Sequence, residues 1–303
     1  MTFRQRKFEM ICEKLKMDID TSTLRNEPIA FVVNPSIWYK KMYPTGILVL
    51  SDYLASKGFS NQILDSKMHN KKIYLLSDRE QMLTAHILKK NYKIICFSST
   101  HKEFAEIVRM NHVIKSADPS LYTIVGGSQP TYRHSDYLNN GFDFICLGEG
   151  EKTLTEFCSE VLNDTRKWES IPGLVYKHGT KVIINKPRNL MSEHELDKND
   201  FSAYQKIDPR YLAMNVEVIR GVPLRTGMIL TTRGCPYSCS FCGCPSIFGS
   251  KLRFRPLDSI DKEIAYLKKH FQIEGVWIVD DTFTVNRSHS LNVAKILKKH
   301  NII

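Results

Sequence analysis

Between Pro28 and about Asn163 the chain alternates short runs of apolar, often β-branched residues with longer stretches whose apolar positions recur at helical spacing. Strands are expected at Ile29 to Asn34, Asn61 to Asp65, Lys93 to Ser98, Tyr122 to Gly126 and Asp143 to Leu147. Helical patterns fill the intervals at Gly46 to Lys57, Arg79 to Lys90, Phe104 to Ser116, Ser135 to Asn139 and Lys152 to Leu162. Strand and helix repeating at this pitch predict a parallel sheet with helices on both faces, in the order 2-1-3-4-5. Ligands of such sheets sit beyond the carboxyl ends of the strands, near the point where the order reverses.

The expected strand ends carry small, polar or glycine-rich loops: Asn34-Pro35-Ser36, Ser98-Ser99-Thr100, Gly126-Gly127-Ser128-Gln129-Pro130 and Gly148-Glu149-Gly150-Glu151. Glycines permit close backbone approach, and hydroxyls and amides offer hydrogen bonds without bulk. Their recurrence after successive strands suggests a rim that cradles a phosphate or a cofactor.

Further along, Leu174 to Asn185 alternates around a Gly-containing turn and reads as a β-hairpin. Arg188 to Arg225, charged and carrying Pro209 and Pro223, reads as an irregular linker. Met228 to Thr231 reads as a strand, Ile260 to Leu267 as part of a helix, and Gly275 to Val279 as a second strand. Asn286 to Lys299 is helical in pattern, and Asn301-Ile302-Ile303 begins a third strand. The expected organisation is a helical extension over 1–27 (Phe3 to Lys16), a ligand-binding α/β domain over 28–165, hairpin and linker over 166–227, and a second β/α domain over 228–303.

Hydrophobic residues make up 42% and charged residues 25%, the balance of a soluble globular protein. No run approaches the roughly 18 consecutive apolar residues of a membrane span. No apolar signal core follows the basic start, so a cytoplasmic location is expected. The formal net charge of +11 is scattered in pairs such as Lys40-Lys41 and Lys268-Lys269. Without a recognised motif, that charge argues for a solvated surface and against a nucleic-acid groove.

The densest chemistry lies in Thr232-Arg-Gly-Cys-Pro-Tyr-Ser-Cys-Ser-Phe-Cys-Gly. Its C-x3-C-x2-C spacing lets Cys235, Cys239 and Cys242 wrap three irons of a [4Fe-4S] cluster, leaving the fourth open to a small molecule. Structural zinc is a rival, helped by Cys244 but lacking a second C-x2-C knuckle. Disulfides and a chance grouping of buried thiols are two more. Cys12, Cys96, Cys146 and Cys158 stand singly in apolar segments and read as core residues.

This loop, its entering strand, and the passage through Lys251-Leu-Arg-Phe-Arg-Pro into a helix resemble the radical S-adenosylmethionine (radical SAM) superfamily. Upstream, Tyr43-Pro-Thr-Gly through Lys57-Gly58, Val125-Gly-Gly-Ser-Gln-Pro-Thr, Phe144-Ile-Cys-Leu-Gly-Glu-Gly-Glu-Lys-Thr and Ile171-Pro-Gly-Leu-Val-Tyr resemble the cobalamin-binding domain of its B12-dependent branch. The resemblance implies a flavodoxin-like (Rossmann-like) domain followed by the first β/α units of a partial (β/α)6 barrel, the chain being the N-terminal portion of an enzyme or a remnant.

The resemblance also implies roles. Cys235, Cys239 and Cys242 would hold the cluster, Phe241 would lie near the adenine of S-adenosylmethionine, and Asp280 and Asp281 would face its amino group. A helix cap before Asn286 is the alternative for the two carboxylates. Ser98, Ser99, Gly126, Gly127, Gly148 and Glu149 would line cobalamin. The D-x-H-x-x-G run of proteins that place histidine under cobalt is absent: Asp65-Ser-Lys-Met-His-Asn has Lys67 and Asn70 there, and His69 is two residues late. Cobalamin is therefore expected without a histidine ligand. The implied reaction is reductive cleavage of S-adenosylmethionine to a 5′-deoxyadenosyl radical, which serves methylation of an unactivated carbon in a small molecule. An external donor of flavodoxin or ferredoxin type would supply the electron. The alternative is a cobalamin-binding module with a vestigial cluster loop.

Overall fold

The computed structural model describes residues 28–34, 43–65, 76–197, 200–208, 211, 216–219 and 221–303. The helix expected at Phe3 to Lys16, the loop residues Pro35 and Ser36, and Lys67, His69 and Asn70 lie outside these residues. The described residues divide into two compact units: 28–34 with those of 46–188, and 43–45 with those of 189–303.

The first unit alternates β1 (Ile29–Val33), α1 (Thr45–Ser56), β2 (Asn61–Asp65), α2 (Leu76–Lys89), β3 (Ile94–Ser98), α3 (Phe104–Ala117), β4 (Tyr122–Gly126), α4 (Ser128–Asn139), β5 (Phe144–Cys146) and α5 (Glu151–Leu162). The hairpin β6 (Leu174–His178) and β7 (Lys181–Ile184) follows. These strands form one seven-stranded sheet ordered β2-β1-β3-β4-β5-β6-β7. The first five are parallel and in the expected order. The hairpin extends the sheet by antiparallel pairing with β5, at Cys146↔Leu174 and Phe144↔Tyr176.

Burial explains the continuous apolar strands. β1 is buried along its whole length, as a central parallel strand covered on both faces must be. Ile95, Val125, Ile145 and Val175, on four neighbouring strands, are fully excluded from solvent and share one core with Ile87, Ile114 and Tyr137 from the helices. Cys96, Cys146 and Cys158 are buried and free, and burial pushes the Cys146 thiol up to about 12. Helix α4 starts seven residues before the expected Ser135, with a non-helical break at Arg133. Pro130 is tolerated because the first turn of a helix has no use for its missing N–H.

The second unit holds β8 (Val216–Ile219), β9 (Val222–Ile229), β10 (Thr232–Arg233), α6 (Cys244–Phe248), β11 (Arg253–Phe254), α7 (Leu257–Phe271), β12 (Gly275–Ile278) and α8 (Arg287–Lys299). β9 pairs in parallel with β12 and antiparallel with β8, and β10 and β11 form a separate ribbon. The linker expected to be irregular up to Arg225 thus contains a hairpin. Pro223 misleads because it sits opposite Val218 near the start of β9, before β12 begins to pair at Thr226. Ile303 donates to Glu274 O at 2.9 Å and accepts from Val276 N at 3.1 Å, the pairing expected of a third strand.

A polar cluster lies within this unit. The Arg255 guanidinium reaches Glu263 at 2.7 Å, Leu230 O at 2.6 Å and Ser259 Oγ at 3.0 Å, and Glu263 accepts from Tyr204 at 2.8 Å. Both ionic side chains are under one-tenth exposed, and their pairing with the bonds to Leu230 O, Ser259 and Tyr204 offsets part of the desolvation, while Arg255 Nε is buried without an acceptor. On β9, the Tyr43 hydroxyl donates to Met228 O at 2.6 Å and accepts from Met228 N–H.

Candidate functional site

The cysteine loop opens at Cys235, six residues after Ile229, the last β9 residue in the parallel pair. Gly234 has φ +90°, and a Cβ there would fall 2.3 Å from Lys251 O, so the neck of the loop closes only on glycine. The β10–β11 ribbon and a bond from Cys235 N to Gly249 O at 3.3 Å hold that neck. A segment before β8 braces it. Arg253 donates to Met191 O at 2.7 Å and Phe248 O at 2.6 Å, and Glu193 accepts from Phe254 N at 3.1 Å.

Beyond the neck, Cys235 is buried, while Cys239 and Cys242 face solvent, linked by a bond from Cys242 N to Cys239 O at 3.0 Å. Phe241 is 90% exposed. Among the described residues no three His, Cys, Asp or Glu side chains converge closely enough to hold a metal ion. The fit to a cluster therefore rests on the donor set: three thiols on one loop, one buried and two exposed. Cys244 differs from them. It is buried at the start of α6, and its S–H donates to Asp281 at 3.0 Å. Burial, then the Asp281 carboxylate, push its thiol up to about 12.

The two carboxylates after β12 part company. Asp280 accepts from Thr231 N at 2.6 Å, Thr231 Oγ1 at 2.5 Å and Thr232 Oγ1 at 2.9 Å, bracing the end of β9 from the end of β12. Asp281 is exposed beside Cys244. Neither caps α8; Asn286 does, accepting from His289 N at 2.9 Å. Thr231 and His289 belong to this arrangement and were not singled out from sequence.

The rim of the first unit is assembled by its own hydrogen bonds. Ser99 N donates to Gly126 O at 2.9 Å, and Gly148 N donates to Thr131 Oγ1 at 3.2 Å. Ser98, Gly126, Gly127 and Gly148 are half-buried at the ends of β3, β4 and β5, and Glu149 is buried. Ser99 is fully buried, its hydroxyl 2.6 Å from that of Tyr137 and 3.1 Å from Thr100 O, so it ties β3 to α4 and offers the rim no free hydroxyl. Gly127 has φ +106°, and a Cβ there would meet Ser99 O at 2.7 Å. Gly127→Ala should destabilise the first unit by about 1–3 kcal/mol, read from urea melts; an unchanged midpoint would refute the close approach.

A parallel sheet with its switch point at β1 and β3, followed by a strand, a three-cysteine loop and a helix, defines a two-part cofactor protein. Residues 38–158 match the B12 binding domain, and residues 229–303 match the radical SAM superfamily. The chain is 26% identical over 221 residues to an uncharacterized methyltransferase of Pyrococcus horikoshii, covering 72% of this chain and 46% of the relative. It is 24% identical over 281 residues to the hopanoid C-3 methylase of Methylococcus capsulatus, covering 90% and 50%. The structure of the radical S-adenosylmethionine methyltransferase TsrM from Kitasatospora setae, with cobalamin and a [4Fe-4S] cluster bound, matches with TM-score 0.66 at 20% identity, over 90% of this chain and 51% of that one. The chain thus carries a B12 binding domain followed by a radical SAM domain, and spans about half the length of the relatives it matches.

Proposed function

We propose that this chain binds cobalamin on its first unit and a [4Fe-4S] cluster with S-adenosylmethionine on its second, in the service of methylating an unactivated carbon of a small molecule. The observation that carries the reading is the C-x3-C-x2-C loop at the carboxyl end of β9, beside the carboxylates that follow β12. When bound, the cluster supplies an electron that breaks a C–S bond of S-adenosylmethionine, and cobalamin supplies the methyl group. Cys235, Cys239 and Cys242 hold the cluster, Phe241 lies along the adenine, and Asp281 faces the amino group. Ser98, Gly126, Gly127, Gly148 and Glu149 line cobalamin, with no histidine on cobalt.

The net charge of +11 suits an acidic donor of flavodoxin or ferredoxin type, in a reducing cytoplasm. The exposed positions of Cys239 and Cys242 favour one rival, a cobalamin-binding module whose cluster loop is vestigial.

Anaerobic reconstitution with iron, sulfide and cobalamin, followed by one reduction in the presence of S-adenosylmethionine, separates the two readings. One bound cobalamin together with 5′-deoxyadenosine is the expected result. Cobalamin without 5′-deoxyadenosine leaves the binding module, and absence of both removes the proposal.

A further inference from the structure

We propose that His289, acting through the Thr231 hydroxyl, fixes Asp280 and the end of β9 that enters the cysteine loop, and so is a positioning residue for S-adenosylmethionine. This rests on the cluster reading above. The hydroxyl of Thr231 has one proton and lies 2.5 Å from Asp280 Oδ2 and 3.0 Å from His289 Nε2. A carboxylate only accepts, so that proton goes to Asp280 and the hydroxyl oxygen must accept from His289. The relay therefore requires the imidazole proton on Nε2. With the two other bonds to Thr231 N and Thr232 Oγ1, it locks the Asp280 carboxylate to the backbone four residues ahead of Cys235.

The ring is itself held. Asn286 accepts from His289 N, and the ring sits 4.8 Å from Phe254 and 6.5 Å from Phe283, centroid to centroid. Two charged groups face it, Asp280 from the end of β12 and Glu193 from the segment before β8, and both favour protonation. Burial opposes them and prevails, so His289 stays neutral to lower pH than an ordinary histidine. Charging it in acid sets a cation one hydroxyl away from the Asp280 carboxylate, in a relay built around a neutral ring.

The test compares wild type, His289→Ala and His289→Gln, all anaerobically reconstituted, with S-adenosylmethionine titrated against the paramagnetic resonance of the reduced cluster. Gln can donate from a similar reach. His289→Ala should keep its iron yet need roughly tenfold more S-adenosylmethionine, the scale of one lost hydrogen bond, and His289→Gln should restore the affinity. Wild-type affinity should weaken only as pH falls below the ordinary histidine range, while the Gln variant stays flat. Unchanged affinity in the Ala variant, loss of its iron without rescue by Gln, or a pH-flat wild type overturns the proposal. Nitrogen-15 histidine spectra of the full chain decide the relay separately: a proton on Nδ1 refutes it even where iron binds. Failure of wild type to take up iron sinks the cluster reading, and with it the role toward S-adenosylmethionine.

Discussion

Reconstituted Cys239→Ala protein should hold no [4Fe-4S] cluster, its iron falling from about four per chain to background. On the proposed reading each of the three thiolates ligates one iron, and the loop offers no substitute. Cys244 is the nearest extra thiol in sequence, but it is buried in the first turn of α6 with its S–H on Asp281. Cys244→Ala should accordingly keep its iron. Iron and sulfide analysis with the visible absorbance of the cluster reads both variants. Full retention in Cys239→Ala would end the assignment, and zinc without sulfide in wild type would revive the metal knuckle.

The largest expected loss of stability follows Glu263→Ala. It removes the counter-charge of the Arg255 guanidinium in a site less than one-tenth exposed and takes one hydrogen bond from Tyr204. Removing one partner of a buried pair costs about 3–5 kcal/mol, whereas replacing both by apolar groups is often tolerated. Denaturant melts of the full chain should therefore show one transition shifted sharply in Glu263→Ala, and less shifted in Arg255→Met/Glu263→Leu. A double variant as damaged as the single one would show that the pair contributes more than charge compensation.

The first unit was largely legible because local signals agreed: apolar strands, helical spacing and small residues at strand ends recur in step. Its hairpin was legible as a hairpin, but not as an extension of the sheet, because pairing across three residues of β5 leaves no periodic trace. In the second unit the cysteine spacing carried its own chemistry. The β8–β9 hairpin was hidden by Pro223 and by flanking charge. The relay was invisible for a different reason: Thr231 and His289 are 58 residues apart, and nothing periodic links a buried side-chain pair to its partner. Sequence could place two aspartates after a strand, but their hydrogen bonds alone show Asp280 spent on threonines and Asp281 facing outward. Ser99 was likewise legible as a strand-end hydroxyl and illegible as one turned inward to Tyr137.

Tyr43 lies upstream of α1, yet residues 43–45 group with the second unit, where the tyrosine hydroxyl satisfies both backbone groups of Met228. The chain therefore leaves a signature of its second half inside its first. A single crossover near Arg188 that grafted a foreign cobalamin module onto this cluster module would discard the tyrosine and expose a broken strand edge. A graft that keeps this strand intact has to carry residue 43 along with residue 228.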